Sequence, residues 1–220
     1  MRDDICTIPV SEVFEHNDGC PICRMRDTIE ERMTDYILGD AMMEPDVRIE
    51  TNKTGFCEHH YNNMMSRRGR LQLALMLQTH INEINGEIFK KKLFNTDSKK
   101  TGNAKNITDS CFICSKIEWG LSRMIETVYR CYETQKDFRD MFNSQSMFCL
   151  PHYERLLGGA SKRNMKSYYS EFSENLNRIT GEYSKSLYDD LSKYCTMYDY
   201  RRDAVERTVA FLNGRIYKEE

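Results

Sequence analysis

Apolar residues recur along this chain at steps of three and four, the period of helices that bury one face. Ile29, Met33, Tyr36 and Ile37 follow an Asp18-Gly19 start signal, and Gly39 marks a stop. Leu73, Leu77, Ile81, Ile84 and Ile88 form a second stripe, and Ile117, Leu121, Ile125 and Val128 a third. Met165, Tyr169, Phe172, Leu176, Ile179, Tyr183, Leu187, Leu191 and Tyr194 predict one long helix over 161–195. Shorter helices are expected from Cys57 to Arg67, around Phe138 to Phe142, from Cys149 to Gly158-Gly159, and over 199–213. Ile5, Ile8, Val10, Val13 and Phe14 make a short apolar lead-in. Residues 40–54 have no such period and read as irregular. No alternating pattern marks a strand, so the fold class is all-α.

The pattern also repeats. Cys20-Pro21-Ile22-Cys23 returns as Cys111-Phe112-Ile113-Cys114, 91 positions later (111 − 20). Phe56-Cys57-Glu58-His59-His60 returns as Phe148-Cys149-Leu150-Pro151-His152, 92 later (149 − 57). Arg32-Met33 matches Arg123-Met124, and Asp46-Val47-Arg48 matches Asp137-Phe138-Arg139. Further on, Ile81 to Glu87 matches Leu176 to Glu182. The expectation is a tandem duplication: a first helical metal-binding repeat over 1–92, a basic linker over 93–109, and a second repeat with the long helix over 110–220. The linker reading rests on Lys99, Lys100 and Lys105 following Lys90, Lys91 and Lys92, among Gly, Asn, Ser and Thr.

Composition narrows the function. Of 220 residues, 30% are charged and only 4 are Pro, while the net charge of −2 argues against a general nucleic-acid binder. No apolar run reaches the roughly 20 residues that cross a bilayer, and no apolar leader follows Met1-Arg2-Asp3-Asp4. The expected compartment is the cytosol, where thiols stay reduced and nine cysteines point to metal chemistry before disulfides.

Four thiol or imidazole groups per repeat are the donors of structural zinc. A Cys-x-x-Cys at a helix start puts two sulfurs on one face, near N–H groups that favour the thiolate. The expected ligand sets are Cys20, Cys23, Cys57 and His60 in the first repeat, and Cys111, Cys114, Cys149 and His152 in the second. Register assigns His60, not His59, as the counterpart of His152, leaving His59 solvated or supporting, and Arg24 could offset the thiolate charge. An iron–sulfur cluster is the alternative occupant of such sets. Cys6, Cys131 and Cys195 have no partner spacing, and His80 reads as a satisfied core histidine. The acids form no catalytic pair. Asp46–Arg48 and Asp137–Arg139 read as local fixing pairs, and Arg67 to Arg70 as a charged helix junction.

Cys20-Pro21-Ile22-Cys23-Arg24, Met43-Glu44-Pro45-Asp46-Val47-Arg48, Gly55-Phe56-Cys57, Phe148-Cys149-Leu150-Pro151-His152 and Tyr198-Asp199-Tyr200-Arg201 together resemble an uncharacterised bacterial family, mostly from Firmicutes, classed as a domain of unknown function. Where that family carries Pro-Trp-Gly after its Asp-Tyr-Arg segment, this chain has Arg202-Asp203-Ala204. The resemblance supports the helical fold and the ligands and implies no activity. The expected role is a zinc-stabilised, non-catalytic scaffold or adaptor. It would act on a protein partner or a second copy through the long helix. A metal-dependent redox sensor or electron carrier is the alternative.

Overall fold

A computed structural model describes residues 10–89 and 96–214. Among them the only regular structure is helical, in the order α1 (Val10–Glu15), α2 (Pro21–Leu38), α3 (Pro45–Thr54), α4 (Glu58–Ser66), α5 (Arg70–Ile84), α6 (Asp97–Thr108), α7 (Phe112–Thr134), α8 (Lys136–Asn143), α9 (Leu150–Gly159), α10 (Tyr169–Thr196) and α11 (Ala204–Asn213). The duplication is visible in the helix starts: Pro21, Pro45 and Glu58 return as Phe112, Lys136 and Leu150. No described helix is long and apolar enough to cross a membrane.

The long helix expected over 161–195 begins only at Tyr169, and the last one, expected over 199–213, at Ala204; two further stretches, expected as irregular or linker, are helical. Residues 40–54 are ordered, with a 3₁₀ turn over Asp40–Met43 leading into α3, where Pro45 occupies the first turn. Proline costs nothing there, because that N–H has no partner within the helix anyway. Most of the stretch expected as a basic linker is α6. Its Thr96 hydroxyl caps the Lys99 N–H, Asp97 lies in the first turn and Lys105 in the last, each suiting the helix dipole. Residues 90–95, with their lysines, lie outside the described residues.

The chain forms two compact units, and they do not follow the repeats. The terminal unit takes the chain up to Asp27 and again from Leu121, and the central unit runs from Thr28 to Gly120. The boundaries fall inside α2 and α7, so each long helix begins in one unit and ends in the other.

The terminal unit is built on aromatic rings. Phe142 packs against Phe14, Phe148, Phe172 and Tyr132 at centroid distances of 5.7, 4.9, 4.9 and 5.1 Å. All five are fully buried, and the Tyr132 hydroxyl is satisfied by Asn143 Oδ1 at 3.0 Å. Arg139 donates to the Tyr132 carbonyl and lies over the Tyr168 ring. The central unit instead buries aliphatic and thioether side chains, among them Ile29, Met33, Ile37, Met64, Leu73 and Met76. There α3 packs against α5, and Arg48 fastens the two through the Leu75 carbonyl and the Thr79 hydroxyl. Both arginines thus fix helices through backbone carbonyls.

Candidate metal centres

The eight expected ligands gather into two sets of four, with partners exchanged between the repeats. Cys20, Cys23, Cys149 and His152 converge in the terminal unit, and Cys57, His60, Cys111 and Cys114 in the central unit, the donor atoms of each set lying within 4.8 Å of one another. This overturns the expectation of one set per repeat, in which Cys20 and Cys23 would meet Cys57 and His60, and Cys111 and Cys114 would meet Cys149 and His152.

Helix length explains the exchange. At 1.5 Å per residue, α2 carries the chain about 22 Å from Cys23 to Leu38 before turning, and α3 then packs on α5. Cys57 therefore emerges near the start of α7. Two backbone contacts hold it there: the Phe112 N–H donates to the Gly55 carbonyl at 3.0 Å, and the Ser110 hydroxyl to the Thr54 carbonyl at 2.7 Å. The terminal unit uses Asn17 for the same purpose. Its side chain donates to the Ser144 carbonyl at 3.0 Å and accepts from the Ser146 N–H at 2.5 Å, setting the approach to Cys20 beside the approach to Cys149.

Each Cys-x-x-His begins a helix, with Cys57 and Cys149 extended at the caps of α4 and α9. One turn later His60 and His152 turn Nδ1 toward the sulfurs, 3.1 Å from Cys57 and Cys149 respectively. Gly55 makes the entry to α4 possible. It has φ of +59°, and a Cβ there would stand 2.6 Å from His80 Nε2. His80 is the satisfied core histidine expected, with Nδ1 2.7 Å from the Asn52 carbonyl.

The spacing suits one ion per set. Tetrahedral zinc bonds of about 2.3 Å to sulfur and 2.0–2.1 Å to nitrogen imply edges of about 3.8 Å between sulfurs and 3.6 Å between sulfur and nitrogen. In the central set Cys57 and Cys114 sulfurs lie 3.8 Å apart, and His60 Nδ1 lies 3.3 Å from Cys111 and 3.4 Å from Cys114. In the terminal set Cys23 and Cys149 sulfurs are 3.5 Å apart, with His152 Nδ1 3.6 Å from Cys20 and 3.3 Å from Cys23.

Charge in the sets is divided as crowded sulfurs require. In the central set burial works against both ionised groups, yet pairing wins. Cys111 falls to about 6 beside His60, which rises to about 10. Burial and the Cys111 sulfur push Cys114 up. In the terminal set Cys20 is lowered despite its burial, by bonds from Cys149, Cys23 and His152, while the Cys20 bond pushes Cys149 up to about 12. Cys23 is also raised, first by Cys149 and then by Cys20. Cys111 and Cys20 are thus favoured as thiolates, while Cys114, Cys23 and Cys149 are pushed toward the protonated form, whose protons a divalent ion would displace.

The two sets differ in their surroundings. All four terminal ligands are buried, and Gly214 at the end of α11 lies against them: a Cβ there would stand 3.3 Å from both Cys149 Sγ and Pro151 Cγ. Arg26 donates to the Gly214 carbonyl, holding that cover in place. In the central set Cys114 is exposed and Cys57 half-buried. The central set also has a carboxylate behind its histidine: Glu30 Oε1 lies 3.3 Å from His60 Nε2 and 2.6 Å from His59 Nε2. The His60 imidazole, ahead of the hydrogen-bonded His59, holds the Glu30 carboxyl down at about 2. His59 is thus a supporting residue, 63% exposed at its side chain against 3% for His60. Sequence reasoning missed Glu30, although it lies seven positions after Cys23, two helical turns along the same face. The residue 91 positions later is Leu121, so the second repeat does not reproduce this carboxylate.

The remaining candidates fall outside the sets. Arg24 donates to the Val13 carbonyl and to Asp18, Cys131 is buried, Cys195 is exposed, and Cys6 lies outside the described residues. Arg67 bonds Asp35 and Asn63, consistent with a charged helix junction.

Residues 1–219 match the family of unknown function DUF6062, and the chain belongs to it. No curated protein and no solved structure shows significant similarity to the chain.

Proposed function

We propose that this member of DUF6062 is a non-catalytic binding protein whose two helical units are each fastened by one zinc ion. The observation that carries the reading is the closed set of four donors in each unit, spaced at the edges of a single tetrahedral ion. Zinc enzymes keep a coordination position open for water or substrate, whereas three cysteines and a histidine fill all four. Cys20, Cys23, Cys149 and His152 would hold one ion, and Cys57, His60, Cys111 and Cys114 the other. Sulfur separations of 3.5 and 3.8 Å suit a mononuclear ion better than an iron–sulfur cluster, whose several irons and sulfides spread their cysteines farther apart.

The binding role draws on the outer face of the last helices. Val205, Val209 and Leu212 recur at helical spacing on α11, and all are exposed, as is Tyr188 on α10. Their opposite face is already used, since Ala204 and Phe211 are buried. An apolar stripe outside a filled core suits a protein partner or a second copy of the chain. The purified protein should be colourless, with two zinc ions and no iron per chain. Proteins retained from native lysate, or a dimer in sedimentation, should be lost in V209S/L212S. A brown protein carrying iron and acid-labile sulfide would contradict the zinc reading. Unchanged capture and association in the variant would contradict the binding role.

A further inference from the structure

We propose that the central set is a thiol modification site: hydroperoxides oxidise Cys57 and Cys114 to a disulfide and release its zinc, while the terminal set keeps its own. This rests on the reading that each set holds zinc. The two sets share the same donor types, one Cys-x-x-Cys and one Cys-x-x-His each, so their intrinsic chemistry is alike. What separates them is access. The terminal ligands are all buried, with the end of α11 laid against Cys149 and Pro151. The central set opens to solvent through Cys114, with Cys57 half-buried beside it. Cys57 and Cys114, the two least buried of these four residues, hold their sulfurs 3.8 Å apart, while Cys111 and His60 are buried.

Metal coordination keeps the sulfurs as thiolates, the form that reacts with peroxides, and exposure then decides which of them is reached. The Cys114 thiolate attacks one peroxide oxygen, forming an S–O bond and breaking the O–O bond. The departing oxygen takes a proton and leaves as water, or as an alcohol from an organic hydroperoxide. The Cys57 thiolate then attacks the Cys114 sulfur. An S–S bond forms, the S–O bond breaks, and hydroxide leaves with a second proton as water. The sulfurs together lose two electrons and the peroxide gains two. Zinc is left with Cys111 and His60 alone and dissociates. Closing the sulfurs from 3.8 Å to a disulfide bond of about 2.0 Å needs only a small movement of side chains that the ion no longer holds.

The test uses the full chain loaded with two zinc ions, treated with hydrogen peroxide beside a colorimetric zinc chelator. Cysteine pairs are mapped by peptide mass spectrometry. One zinc per chain should leave on the order of ten-fold faster than the second, as exposure dictates. Cys57 and Cys114 should be joined as the first zinc leaves, and dithiothreitol with added zinc should restore the site. Loss of both ions at one rate overturns the proposal, as does a first disulfide that involves Cys20, Cys23 or Cys149, or that joins Cys114 to Cys111. A chain that cannot be loaded with two zinc ions fails at the earlier step and rejects the underlying zinc reading instead.

Discussion

Replacing Cys57 with serine should loosen the central unit along the boundaries of the unit, not those of the repeat. The substitution removes one of four donors from the set completed by His60, Cys111 and Cys114. Structural zinc contributes roughly 10–16 kcal/mol of apparent binding energy in small peptides. At a free zinc concentration about a thousand-fold above the dissociation constant, that binding adds about 4 kcal/mol to folding. Protection against hydrogen exchange should therefore fall about a thousand-fold where global opening governs it. The loss should cover Thr28 to Gly120, including α6 and the first turns of α7, and spare α8, α9 and α10. The buried rings around Phe142 and the untouched terminal set should keep those helices protected. Exchange measured peptide by peptide, with zinc counted alongside, reads both effects. If protection falls over 20–56 and holds over 111–120, or if both ions are lost together, the reasoning is refuted.

Three further outcomes follow from particular contacts. Glu30→Gln should weaken zinc at the central set about ten-fold or more, the usual cost of losing a carboxylate behind a metal-bound histidine, and leave the terminal set unchanged in a chelator competition. Gly214→Ala forces a side chain onto a backbone at φ of +67° and toward Cys149 Sγ. It should cost about 1–2 kcal/mol in denaturant unfolding and weaken zinc at the terminal set alone. Phe142→Ala empties the centre of the aromatic cluster and should cost about 3–5 kcal/mol, read as a lower unfolding midpoint of the terminal unit with both zinc ions still bound.

Much of this arrangement was legible in the chain. The apolar stripes gave the long helices, because a buried face leaves a strong period of three and four. The duplicated Cys-x-x-Cys and Cys-x-x-His motifs named all eight residues, and register chose His60 over His59. The helix at 45–54 went unseen because α3 buries only Thr51 and so writes no stripe, yet α8 begins one repeat length later and its match to Asp46-Val47-Arg48 carried the information. The helix at 97–108 buries nothing at all; only its caps mark it, and the lysines pointed elsewhere. The partition of ligands was the largest miss. Motif spacing is nearly equal within a repeat, so proximity in sequence favoured the wrong pairing. The length of α2 and the packing of α3 on α5 decide it, and the second of these is a tertiary fact that a single chain does not print. Glu30 was hidden for a related reason, since its meaning depends on which histidine α2 runs past.

Cadmium-113 substituted for zinc allows each ion to be linked through bonds to the β protons of the cysteines that hold it. One cadmium resonance should correlate with Cys20, Cys23 and Cys149, and the other with Cys57, Cys111 and Cys114. A resonance that joins Cys20 and Cys23 to Cys57, or Cys111 and Cys114 to Cys149, would contradict the exchange of ligands between the repeats.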